Sequence, residues 1–405
     1  MKIGIFTDAY LPLPNGVSTA VDRTARALEK KGHTVTIIAP NVPGHKDNKK
    51  NIYRLPSINF LATGTRFALH IPNKTLLDIV RLDFDVIHAY NGGPISLLGW
   101  EIAKTKDIPY VFTYCTLLVQ YTHYLGKWLG NPRFMKILSK IICNYCDYLL
   151  VPTGSVRKEL LSYGVTKKMH VDPTGIELDE YKDHTKGFIR EKIGVGKNKK
   201  ILLHVGRLGQ EKAIDFLISA FWQLKKKSPD AVLVLVGAGA EEQTLKNQVE
   251  SLQLSDSVFF LGAFPPETLP QIYADADIFI FASQTETQGL VILEALASSL
   301  PIVAVKDAVF HEILDHGKNS YMVKKDAKTF AESIHLLLSD KKLRDMFAKN
   351  SLETAKKFSI QQTADNLEKV YAALIKEASA KPPGYRKKYL NKFHHLMKPF
   401  FLVRK

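Results

Sequence analysis

The sequence predicts an α/β protein of two doubly wound domains, and three observations carry that prediction. At 405 residues the chain is longer than one hydrophobic core usually organises, so two domains are expected. Short apolar runs rich in β-branched residues alternate with amphipathic stretches of helical length, the pattern of βαβ units around parallel sheets. The alternation runs through each half in turn. Hydrophobic residues at 45% and charged residues at 24% are the balance of a folded globular protein and exclude a disordered chain.

Strands are expected in the first half at residues 2–6, 34–39, 85–89, 110–113 and 148–151, with helices between them. The first helix closes on Lys30-Lys31-Gly32, cations at the negative end of the macrodipole and a glycine that supplies a left-handed cap. Strands in the second half are expected at 201–205, 231–236, 258–261, 278–282 and 301–305. Residues 181–200 are polar and basic, and they read as a hinge. This gives a first domain over 1–180, a second over 201–370, and a tail over 371–405. Ligands of open α/β sheets bind outside the carboxyl ends of the strands, so the chemistry belongs in the strand-to-helix loops.

Composition narrows the partner. No apolar run approaches the roughly 20 residues that cross a bilayer, and the N-terminus passes straight into a strand with no secretory apolar region, so a cytoplasmic protein is expected. Cys115, Cys143 and Cys146 are too few for a disulfide framework. Cys143 and Cys146 lack the second pair that structural zinc needs and are read as helix-packing residues.

The net charge of +16 favours an anionic partner. Half of it lies in the tail, where Lys381, Arg386, Lys387, Lys388, Lys392, Lys398, Arg404 and Lys405 have no acid among them. Tyr389, Phe393, Leu396, Met397 and Phe400 recur there at helical spacing, so the tail either anchors on a surface or docks on the first domain. Residues 124–142 alternate Trp128, Phe134, Met135 and Ile137 with Lys127, Arg133, Lys136 and Lys140. Such a segment either lies in an anionic membrane interface or is a core helix with solvated lysines. No RNA- or DNA-binding motif accompanies the charge, and nucleic acid is not expected.

Two loops of the second half carry a ligand-binding pattern. Strand 201–205 is followed by Gly206-Arg207-Leu208-Gly209-Gln210-Glu211-Lys212, where glycine allows close approach and two cations sit near a helix N-terminus that favours anions. A diphosphate fits that chemistry, and so does a solvated loop with surface cations. Strand 278–282 leads into Ser283 to Ala295, with Glu286 in the loop and Glu294 inside a helix that is expected to start near Gln288. Carboxylates there accept hydrogen bonds from sugar hydroxyls beside a positive helix end, or belong to an ordinary capped helix. In the first half Gly16 precedes a helix and leaves its backbone NH groups open to phosphate.

Val205-Gly206-Arg207 with Lys212, followed by the Glu286-x7-Glu294 pair, resembles the retaining glycosyltransferase family 4 of two-Rossmann, GT-B architecture. Val236-Gly237-Ala238-Gly239, His311-Glu312-Ile313-Leu314 and residues 171–177 are similar as well, so the resemblance covers about residues 1–370. It implies that Arg207 and Lys212 bind the diphosphate of a sugar nucleotide, Glu294 its ribose and Glu286 the transferred sugar. Gly206, Gly289 and Leu290 belong to the same donor motif, and Gly16 approaches the donor from the first domain. No aspartate-rich metal motif is evident, so the two cations would stabilise the leaving diphosphate without a divalent metal.

Thr113-Tyr114-Cys115-Thr116, Tyr121-Thr122-His123-Tyr124, residues 143–147 and 162–165, and Glu286-Thr287-Gln288-Gly289 resemble the diacylglycerol glucosyltransferase branch. That branch implies UDP-glucose as donor and diacylglycerol or a glycolipid as acceptor. It also implies peripheral attachment to the inner face of the cell membrane. Two wordings depart from the family. Cys115 stands where a histidine is usual near the reacting sugar, with His123 eight residues on as the nearest substitute, and Tyr90-Asn91-Gly92-Gly93 replaces a His-Thr-Glu-like sequence. A transferase for a soluble or envelope-glycan acceptor, or a catalytically silent sugar-nucleotide or membrane-binding protein, remain the rival readings.

Overall fold

The computed structural model describes residues 1–13, 15–59, 66–69, 71–117, 119, 131–382 and 384. The chain forms two compact units. The first takes Met1–Gly175 and resumes at Ile360, and the second is Ile176–Ser359.

The first unit begins β1 (Lys2–Thr7), α1 (Gly16–Lys30), β2 (Thr34–Pro40) and β3 (Ile52–Leu55). A small pair follows, β4 (Ser57–Asn59) with β5 (Arg66–Ala68), and then α2 (Lys74–Arg81), β6 (Val86–Tyr90), α3 (Pro94–Lys106) and β7 (Tyr110–Thr113). The last elements before the crossing are α4 (Pro132–Tyr145), β8 (Tyr148–Val151), α5 (Gly154–Ser162) and β9 (Met169–Val171). Seven strands pair in parallel in the order β3-β2-β1-β6-β7-β8-β9. Because side chains alternate along a strand, Ile3 and Ile5 of β1 pack with Val21 and Leu28 of α1, while Phe6 packs on the opposite face with Trp100 of α3. Asn15 and Ser18 start α1 with a reciprocal capping box.

The second unit runs α6 (Phe188–Ile193), β10 (Lys200–Val205), α7 (Ile214–Lys225), β11 (Ala231–Val236), α8 (Glu242–Ser251) and β12 (Val258–Phe260). It continues with α9 (Leu269–Asp275), β13 (Ile278–Phe281), α10 (Leu290–Ala297), β14 (Ile302–Val305), β15 (Ser320–Val323), α11 (Ala327–Ser339) and α12 (Lys341–Ala355). Its six strands are parallel in the order β12-β11-β10-β13-β14-β15. They read as continuous apolar runs, such as Ala-Val-Leu-Val-Leu-Val in β11, because helices cover both faces.

The final helix, α13 (Ile360–Ser379), returns to the first unit. Ile360, Ala364, Leu367, Tyr371 and Leu374 join the core formed by Ile3, Ile5 and α1. The Tyr371 hydroxyl lies 2.6 Å from Nδ1 of the buried His88, whose Nε2 is 2.7 Å from Thr113 Oγ1. Burial without a charged partner pushes the His88 pKa down to about 3, so the ring is neutral and serves as a linchpin for the helix.

The expected boundaries move accordingly. Residues 181–200 are part of the second unit, since Ile189 of α6 is buried in its core and Asp275 accepts from the Ile189 amide at 2.6 Å. The second unit ends at Ser359 and not at 370, because the apolar face of α13 is covered by α1 and the first sheet. Strands β3, β4, β5, β9 and β15 were not expected; they lie at sheet edges or in the small pair, where no continuous apolar run marks them.

Candidate functional site

Each sheet has one position where consecutive connections leave in opposite directions, and crevices at such switch points hold ligands in doubly wound folds. It lies between β1 and β6 in the first unit and between β10 and β13 in the second.

The second switch point is rich in charge. β10 ends at Val205, and Gly206–Gly209 leads into a single 3-10 turn, Gln210–Lys212. An Arg207 Nη2 donates to Glu211 Oε1 at 2.6 Å, and the Glu211 side chain is only 4% exposed, so the acid fixes the guanidinium from beneath. Lys212 Nζ donates to Glu286 Oε1 across the β10–β13 boundary. These two side chains are 13% and 16% exposed, so the pair is poorly screened by water.

Close glycine packing holds the loop in place. Gly206 N donates to Val236 O at 2.9 Å and Leu208 N to Ala238 O at 3.0 Å, which lays the β11 loop against the β10 loop. A Cβ on Gly237, whose φ is +137°, would come within 1.8 Å of Gly206 O, and one on Gly239 within 2.3 Å of Leu208 O. Only glycine fits there.

α10 starts at Leu290, two residues later than expected, because Gly289 takes a left-handed conformation (φ 81°) ahead of it. Gly289 brings no N-cap side chain to this helix, which begins just beyond the carboxyl end of β13. Phe310 packs beneath Gly289, 3.3 Å from where its Cβ would be, and 5.7 Å from the Phe281 ring. Glu294 is buried within α10 with Oε2 accepting from the Tyr273 hydroxyl at 2.9 Å. Asp307, on the neighbouring β14 loop, has its pKa raised by burial first and then by the Glu286 charge. Behind Gly206 the buried His204 ring has its pKa pushed down to about 4 by burial, and among the described residues its Nε2 has no hydrogen-bond partner.

The first switch point is different. Asp8, just beyond β1, accepts from Gly93 N and Ile95 N at 2.9 Å and from Ser96 Oγ at 3.1 Å, so its carboxylate caps α3 from another strand's loop. Burial pushes its pKa up to about 6, against hydrogen bonds that pull it down. Gly93 leaves the space this needs, since a Cβ there would meet the Asp8 carboxyl carbon at 2.5 Å. Asn91 sits at φ 79° after β6, and its Oδ1 accepts from Thr116 Oγ1 and, at 3.5 Å, from Cys115 Sγ. Burial pushes the Cys115 thiol up to about 12, so it stays protonated at neutral pH and is neither base nor nucleophile.

The structure thus gathers Gly206, Arg207, Lys212, Glu286, Gly289, Leu290 and Glu294 at one edge of the second sheet. It sets Gly16, the first residue of α1, and Cys115, just past β7, at the corresponding edge of the first. Arg133, Lys136 and Lys140 lie on the exposed face of α4, with Met135 and Ile141 buried beneath. His123, Lys127, Trp128 and the tail beyond residue 384 lie outside the described residues. Sequence reasoning missed Glu211, whose partner Arg207 shares its loop, and His204, Asp8 and Asn91, whose partners come from other strands; for Glu211 and Asn91 a signal existed in the loops already singled out.

Comparison with known proteins agrees with this geometry. Residues 14–180 match the family model described as Glycosyltransferase Family 4, and residues 185–354 match that of Glycosyl transferases group 1. The chain is 30% identical to the alpha-monoglucosyldiacylglycerol synthase of Acholeplasma laidlawii over 94% of its own length and 99% of the relative's. It is 36% identical to the synthase of the same name from Streptococcus pneumoniae, over 75% and 71% of the two chains. Among solved structures, Anabaena HepE in complex with UDP and glucose superimposes with a TM-score of 0.75 at 19% identity, covering 92% of this chain and all of that one. Sucrose-phosphate synthase from Thermosynechococcus elongatus gives 0.74 at 20%, covering 93% of this chain and all of that one. With both halves matched and the two parallel sheets in hand, the chain belongs to glycosyltransferase family 4 and is a glycosyltransferase of the GT-B fold.

Proposed function

We propose that this enzyme transfers glucose from UDP-glucose to diacylglycerol, or to a glycolipid built on it, at an anionic membrane surface, with retention of anomeric configuration. The observation that carries the donor half is the contrast between the switch points. The α3 N-terminus is already satisfied by Asp8, whereas α10 starts behind Gly289, which has no side chain to cap it, on the loop that brings Glu286 to Lys212. An anionic diphosphate is therefore accommodated by the second unit. Arg207 and Lys212 neutralise charge that develops on the leaving diphosphate, which then takes the acceptor proton. Glu286, drawn from Lys212, accepts from hydroxyls of the sugar, and Glu294, steadied by Tyr273, accepts from the ribose.

The lipid half is supported by the two synthases named above and by the first unit's surface. Ile137 is 51% exposed on the face of α4 that carries Arg133, Lys136 and Lys140. Leu77 and Val80 are 54% and 44% exposed on α2 beside Lys74 and Arg81. Such faces suit an anionic lipid interface. No helix among the described residues is long and apolar enough to cross a membrane.

The test uses purified protein, anionic vesicles with and without diacylglycerol, and a panel of labelled sugar nucleotides. Label from UDP-glucose should enter the lipid fraction only when diacylglycerol is present. Transfer solely to soluble acceptors, or donor binding without turnover, would refute the lipid reading.

A further inference from the structure

The loop between β6 and α3 is fixed from both sides. At its far end the Gly93 and Ile95 amides are held by Asp8 of the β1 loop. At its near end Thr116 and Cys115 of the β7 loop both donate to Asn91 Oδ1. Between these anchors Asn91 and Gly92 take positive φ angles of 79° and 69°, a conformation asparagine tolerates better than most side chains.

Both inward contacts are made by Oδ1, so the Nδ2 of the amide faces the other way. Among the described residues Asn91 Nδ2 has no hydrogen-bond partner, and it is not among the buried polar atoms left unpaired, so it is open to solvent. A rigid, oriented NH2 group therefore stands at the carboxyl edge of the first sheet, on the strand beside its switch point. The neighbouring groups offer little competition, since the Cys115 thiol is engaged with Asn91 and Asp8 is spent on α3.

We propose that Asn91 is a specificity-determining residue of the first unit, its Nδ2 donating a hydrogen bond to a hydroxyl oxygen of the acceptor. A loop held at both ends gives such a contact without an ordering cost at binding. The inference rests on the transfer reading, and it names the group that greets the hydroxyl.

Two variants test it. Asn91→Gly keeps the positive φ and removes the amide, and Asn91→Asp keeps the shape and the Thr116 contact while replacing the donor by an acceptor. Both are assayed against wild type for transfer to diacylglycerol in anionic vesicles, for hydrolysis of UDP-glucose without acceptor, and for thermal unfolding. The acceptor KM should rise about tenfold in each variant, the loss of one neutral hydrogen bond, with hydrolysis retained; the Asp variant, which keeps the Thr116 anchor, should unfold as wild type does, and the Gly variant at a lower temperature. An unchanged acceptor KM in the Gly variant overturns the proposal. So does a parallel fall in hydrolysis, which would assign the amide to the donor sugar. Should wild type use a soluble polyol in place of diacylglycerol, the lipid reading fails while the same KM comparison on that polyol still decides Asn91; if wild type glycosylates no hydroxyl at all, both fall.

Discussion

At the first switch point the N-terminus of α3 receives a carboxylate from its own chain, Asp8, and at the second α10 starts behind a glycine while Glu286 of the same loop is turned to Lys212. The strand plan is the same: the first strand of each sheet lies beside the strand that reverses the order. The electrostatics are opposite. Asp8 cancels the positive helix end and turns it into a rigid support for Asn91. Around the second switch point the charges are paired, Arg207 with Glu211 and Lys212 with Glu286. The comparison teaches that two doubly wound sheets of one plan supply equivalent crevices, and that single side chains set the charge of each.

Lys212→Ala strikes the second crevice directly and should have the largest effect. Loss of a preorganised cation at the leaving group lowers kcat by about 10²- to 10³-fold. Steady-state kinetics with a matched unfolding curve check it, and a change below tenfold would break the assignment of the diphosphate to this crevice.

Gly237→Ala attacks the scaffold behind the same crevice. With φ at +137° and only 1.8 Å from its Cβ to Gly206 O, the substitution forces the β11 and β10 loops apart. A destabilisation of about 3 kcal/mol or more follows from strain and clash together, read as a lower denaturation midpoint. Wild-type stability would mean that the two loops do not interlock as described.

Asp8→Asn sharpens the comparison from the other side and has the smallest effect. Asp8 has a folded pKa of about 6, above its ordinary value of 3.8. Between those values the folded state keeps a proton that the unfolded chain has released, so this residue's contribution to stability is full below about 4 and is lost as pH rises through about 6. The wild-type advantage in melting temperature over Asp8→Asn should therefore shrink between pH 4 and pH 7. A constant difference would show that Asp8 does not titrate in that window.

Much of the fold was legible because it depends on local rules. Continuous apolar runs such as those of β10 and β11 can be buried only as central parallel strands, and the amphipathic stretches between them must cover the sheets. The charged loops after β10 and β13 were legible for a similar reason: glycines, cations and acids stood directly after such runs. The hinge was misread because polarity at 181–200 hid the Asp275 cap and the buried Ile189, both defined by residues distant in sequence. The return of α13 was equally hidden, since its apolar stripe fits any covering helix and does not name its partner.

By itself, then, the sequence determined the parallel α/β class, the positions of the long strands and the charged, glycine-containing loops after β10 and β13, because periodicity and backbone geometry act over a few residues. The tertiary structure alone decided the pairings. Lys212 reaches Glu286, Asp8 reaches α3, Thr116 reaches Asn91 and Tyr371 reaches His88 only because strand order brings loops from different parts of the chain to one sheet edge. Strand order follows from burying all the apolar faces at once, a condition no short segment contains.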